Sequence, residues 1–171
     1  MNSRNFMRLV DKTMREAAKD TVDIDIVKIA RAFRADLVQG VRRQKWPMAP
    51  LSPRWLAKKK KHGLDQRKLI ATERYLQGIR ERKLPPAQMG WAVEPSPNRV
   101  QKYTWQKGQP KITYVQLAQI LEGGSEKRRI PPRPHWKPCI DEYVARRAQY
   151  GKQVQQAFAK RFDRALLRAL P

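Results

Sequence analysis

The chain has 171 residues, with 38 Lys and Arg against 15 Asp and Glu, and a formal net charge of +23. That length suits one domain with a modest core, and the charge is outside the usual range of a small soluble enzyme; it favours polyanions such as DNA, RNA, an acidic protein surface or an anionic membrane. One cysteine, Cys139, excludes an intramolecular disulfide, and no run approaches the roughly 20 apolar residues of a membrane span.

In chain order, residues 1–20 read as a helix. Phe6, Leu9, Val10, Met14 and Ala17 recur at helical spacing, and no apolar run there has the length of a signal peptide, so a cytoplasmic site of synthesis is expected. A second helix places Ile26, Ile29, Ala30, Phe33, Leu37 and Val41 on one face. Asp20 to Asp25 is expected to separate or cap the two, with Asp23 and Asp25 in the first turn of the second.

The stretch PLSPRWLAKKKKHG, 50–63, carries the signals of a short helix. Ser52 is placed to cap it, Pro53 to occupy its first position and Gly63 to end it. Leu51 and Leu56 have the spacing of a hydrophobic staple. Lys58 to Lys61 are then read as a solvated helix end, because four consecutive residues point all round a helix and form no single phosphate patch. In LIATERYLQGIR, 69–80, Thr72 is read as the cap of a short turn with Leu76 and Ile79 inward.

Met89 to Glu94 alternate as a strand, as do Lys102 to Trp105, with Ser96-Pro97-Asn98 as a turn between them. Trp91 is read as core, and Trp105 as core or base-stacking. Ile112 to Val115 reads as a strand or a strand-to-helix junction, followed by a helix over 116–122 that Gly123 and Gly124 stop. IPPRPHWKP, 130–138, is a proline-rich connector in which Arg133 is free for a bidentate contact with a carboxylate or stays solvated. A closing helix of about 30 residues, roughly 45 Å long, carries Val154, Phe158, Phe162, Leu166 and Leu170 as an apolar stripe, with Gly151 as its bend. That stripe serves either assembly or packing on the N-terminal helices.

Charge is uneven along this order. The net is +2 over 1–41, +11 over 42–83, +1 over 84–126 and +9 over 127–171, so two basic blocks flank a near-neutral middle. Recognisable catalytic sets are missing from the sequence: two histidines and one cysteine do not make a zinc set, and His135 with Cys139 reads as chance proximity. No Walker loop, GxGxxG or GxSxG occurs. No enzymatic activity, cofactor or metal is expected.

Three segments in order resemble the bacteriophage tail-completion, or virion-morphogenesis, family. WPMAPLSPRWLAKKKKHGLDQRKLIATERYLQGI resembles its W-x-PLS-x-x-(aromatic)-L-x-x-KKK-x-G…LI-x-TG-x-L segment. TYVQLAQILEGG resembles its Y…GG segment, and IPPRPHW its IP-x-RPF segment. The resemblance covers roughly residues 42–140 and rests on Trp46, Leu51, Ser52, Pro53, Leu56, Thr72, Tyr114, Gly123, Gly124, Pro131, Arg133 and Pro134. Glu73 stands where the family has Gly, and Trp136 where it has Phe.

The resemblance implies an α+β fold: one domain over 1–171, with N-terminal helices (1–45), a basic segment plus sheet core (46–135) and a long closing helix (136–171) on a small, mostly antiparallel sheet. It implies a structural protein of the phage neck or tail, assembled in the host cytoplasm and present in the virion, that completes the tail and supports head–tail joining. Its partners would be further copies in a ring and neighbouring neck, connector, tail-terminator or tail-tube proteins. Phe158, Phe162 and Leu166 would be the interface, and the basic blocks would meet acidic neighbours or line the DNA passage. The alternative is a sequence-independent nucleic-acid-binding protein.

Overall fold

The N-terminal helices run on without a break. In the structure, a computed structural model that describes residues 3–67, 73–97, 112–126 and 129–169, α1 (Ser3–Thr21) passes through a π-helical turn (Val22–Ile26) into α2 (Val27–Arg42). The expected separation at Asp20 to Asp25 is therefore absent. Its acidic residues have distant partners instead, Asp23 with Lys83 and Asp25 with Arg161, and Asp25 also has a local one in Lys28. A wide turn of this kind inserts an extra residue without ending the helix.

The remaining elements are α3 (Pro53–Lys61), α4 (Arg74–Gln77), β1 (Ile79–Lys83), a 3₁₀ turn (Pro86–Gln88), β2 (Trp91–Pro95), α5 (Tyr114–Gly123), α6 (Trp136–Ala145) and α7 (Arg147–Ala169). β1 and β2 form a two-stranded antiparallel sheet, tied by Arg82 to Glu94 at 2.8 and 3.2 Å. The fold is α+β, mostly helical, with a long C-terminal helix and a small sheet. The strand read over 102–105 lies outside the described residues. Ile112 to Val115 is a junction: Thr113 caps α5 through a capping box with Gln116, at 3.2 and 3.0 Å. The closing helix is two helices. It turns at Arg146, while Gly151 lies inside α7.

The chain packs as two compact units, Met1–Ala32 with Lys83–Ala92 and Val144–Pro171, and Phe33–Arg82 with Val93–Tyr143. In the first, α7 packs along α1, where Thr13, Ala17 and Thr21 form a buried seam at i, i+4, i+8. Phe6 and Met14, members of the same helical repeat, are exposed. Small seam residues let another helix approach closely, and this sets the inward face in place of the larger side chains. Trp91 is half-buried and donates to the carbonyl of Val22 at 3.2 Å.

The second unit holds the main core. Leu37 and Val41 of α2 pack with Trp46, Met48, Tyr75, Leu76, Ile79, Tyr114, Ala118 and Cys139. α3 stands as its end signals require. Ser52 Oγ accepts from the backbone N–H of Trp55 at 3.3 Å with Pro53 following. At the other end Gly63, at φ +61°, closes a Schellman motif: its N–H reaches the Lys60 carbonyl at 3.2 Å and that of Leu64 reaches Lys59 at 2.9 Å. Leu51 is buried, while Leu56 lies at the exposed margin. Ser52→Ala is expected to cost about 1 kcal/mol in urea unfolding; no measurable change would mean that water replaces the cap.

Candidate functional site

The proline connector and the end of α5 build a buried polar lock in the second unit. It starts at Gly124, which ends α5 at φ +78°, ψ −176°, a conformation essentially restricted to glycine. A Cβ there would sit 2.9 Å from the Ile130 carbonyl and 3.0 Å from Pro132. Gly123 meets no such crowding. The chain leaves through a Ser125–Ile130 bridge and returns so that the Arg133 N–H bonds the Leu121 carbonyl at 2.6 Å.

Arg133 is buried, and its guanidinium forks onto two main-chain carbonyls, Nε to Ala49 at 3.1 Å and Nη2 to Pro50 at 3.0 Å. Neither expectation for Arg133 is met: the fork grips the backbone just before α3, not a carboxylate, and it is not solvated. Burial pulls its pKa down from the usual guanidinium value. Pro131, exposed, and Pro134, half-buried, flank it and hold the approach extended.

Next along the chain, the Glu122 carboxylate caps α6. It accepts from the backbone N–H groups of His135, Trp136 and Lys137 at 3.0, 3.2 and 2.8 Å. A carboxylate on the free donors of a helix start satisfies them and suits the helix dipole. His135 is fully buried. Trp136 Nε1 donates to the Tyr75 hydroxyl at 3.0 Å, so that hydroxyl directs its own proton to His135 Nε2 at 2.9 Å. His135 Nδ1 then carries the hydrogen, facing the Arg133 carbonyl at 3.1 Å and Glu122 at 3.3 Å. The opposite tautomer would set a bare nitrogen against two acceptors.

Burial lowers the His135 pKa and raises that of Tyr75, so both stay neutral at ordinary pH. Burial also pushes the Cys139 thiol up to about 11, so it is held as a thiol, and the ring nitrogens of His135 are engaged with Tyr75 and Arg133 and not with Cys139. The arrangement fixes geometry. Tyr114 packs edge-on to Tyr75, with ring centroids 5.9 Å apart. Trp46, buried, donates to Glu142 of α6 at 3.0 Å. Glu122→Ala is expected to lower unfolding free energy by about 2 kcal/mol, since it removes a charged cap. Glu122→Gln, which keeps an acceptor oxygen, should lose about half of that; equal losses in the two would mean that charge, and not acceptance, is what α6 needs.

The lysine run is not uniformly solvated. Lys59 is 2 % exposed, and its ammonium donates to the Arg67 carbonyl at 2.7 Å. Burial, opposed by Asp65 and aided by the Arg133 charge, brings its pKa down to about 8. Lys60 and Lys61 are exposed.

The structure thus brings Trp46, the Leu51–Leu56 segment, Tyr114, Gly124 and Arg133 into one unit. Thr72 lies outside the described residues. Glu73, at φ +57°, is left-handed and pairs with Arg42 at 3.0 Å. Phe158 and Phe162 stack at 6.2 Å, and with Val154 and Leu166 they are half-buried positions of α7, the helix that packs along α1. Glu122, His135 and Tyr75 were missed as a group. The Glu-Gly-Gly and Arg-Pro-His spacing carried the only signal for two of them. Among the described residues no cluster has metal-binding composition, and no helix is long and apolar enough to cross a membrane. Comparison of the chain with protein-family models, curated proteins and solved structures gives no match.

Proposed function

We propose that the chain is a structural virion protein of the phage neck or tail that completes the tail and supports head–tail joining as a ring. One observation carries the reading. The three segments that resemble the tail-completion family, far apart in sequence, close on one another through Arg133, whose guanidinium bonds the Ala49 and Pro50 carbonyls and whose backbone N–H bonds the Leu121 carbonyl. Their residues therefore have a common physical purpose, which is to hold the fold, and their order and spacing follow from it. Two details agree. The backbone is left-handed at Glu73, where the resembled segment has Gly, and only glycine suits the second position of the Gly-Gly pair. The role is one of assembly and not of catalysis.

Native mass spectrometry and negative-stain imaging of the purified chain test this. Closed rings are the expected result. Monomers whose DNA affinity falls steeply with salt would overturn it in favour of a sequence-independent nucleic-acid-binding protein.

A further inference from the structure

In the first unit, α7 and the π-helical turn enclose an open concavity of about 320 Å³ lined by Asp25, Gln153, Gln156, Lys160, Arg161 and Arg164. From Gln153 to Arg164 the lining runs along one side of α7 for about 16 Å. Asp25 pairs with Arg161 and, at 3.7 Å, with Lys28. Lys160 and Arg164 are exposed and have no carboxylate partner among the described residues. The one acidic group in the concavity is thus already shared by two cations, while two more cations stand one helical turn apart beside it.

We propose that this concavity is a binding track for the phosphodiester backbone of nucleic acid, read without regard to sequence. Lys160 and Arg164 would each neutralise one phosphate of a strand. Gln153 and Gln156 would add neutral amide donors, which also contact phosphate oxygens in nucleic-acid complexes. Arg161, held by Asp25, would keep the floor positive. Cations spaced about 6 Å apart along a helix suit the evenly spaced charges of a nucleic-acid strand. In a chain of net charge +23, a bound polyanion also relieves self-repulsion. The inference stands apart from ring formation and can fail without it.

The test is fluorescence anisotropy of the full chain with a short labelled duplex of arbitrary sequence over a salt series. Lys160→Gln with Arg164→Gln should make the plot of log affinity against log salt shallower by about 1.8, or about 0.9 for each phosphate that is no longer neutralised. Lys60→Gln with Lys61→Gln removes the same charge from α3 and should leave the slope near wild type. Lys160→Arg with Arg164→Lys should restore it, and matched thermal unfolding would show that all variants are folded. Equal slope losses in the two Gln pairs would overturn the track, as would a wild-type chain that fails to bind the duplex. So would polyglutamate competing as well as DNA and with the same dependence on Lys160 and Arg164, since the ligand would then be an acidic polypeptide.

Discussion

Arg133→Ala should destabilise the chain by about 3 kcal/mol in urea unfolding. Each carbonyl that the guanidinium leaves, Ala49 and Pro50, forfeits a charged hydrogen bond, and an unsatisfied buried acceptor costs about 1–3 kcal/mol. Loss of the packed side-chain stem adds to this. Two terms offset it: the cost of burying the cation disappears, and so does its repulsion of Lys59. Arg133→Lys keeps the charge but has no planar fork to reach both carbonyls, so it should recover less than half of the loss. A drop below about 1 kcal/mol for Arg133→Ala would mean that water satisfies both carbonyls and the lock is dispensable.

What could be read from the sequence follows the range of the interactions. The ends of α3 were legible because Ser52, Pro53 and Gly63 act on backbone groups within a few residues. The inward faces of Leu37, Val41, Leu76 and Ile79 were legible by periodicity. β1, with the sequence IRERK, alternates too weakly to announce a strand, and its pairing with β2 decides it. The continuous run from α1 to α2 was hidden because the carboxylates that looked like caps are drawn to Lys83 and Arg161, the latter 136 residues away. Arg133 was misread for a similar reason. A carboxylate is the default partner for a guanidinium, and nothing local says that two main-chain carbonyls lie 83 and 84 residues earlier. The stripe on α7 was legible as a stripe, whereas the seam on α1 depends on small residues that hydropathy ranks low.

Lys59 was legible in principle, and it supplies the second large effect. A helix that packs on a core must turn one side inward, and in PRWLAKKKK the residue four beyond Trp55 is Lys59. Its folded pKa of about 8 lies below the ordinary 10.5, so between those values the unfolded chain holds the extra proton. Stability from this site is therefore lowest below pH 8, rises as the pH climbs, and is complete above about 10.5, for a total near 3 kcal/mol. Other lysines also lose charge in this window, so the informative quantity is a difference. Lys59→Met fills the same space without a titrating group, and its neighbour Arg133 would feel one cation fewer. Unfolding free energies of the wild type and Lys59→Met, measured by urea at pH 7 and at pH 10.5, should show the wild type gaining on the variant by about 3 kcal/mol. A difference that stays flat across the window would return Lys59 to the solvated end of α3.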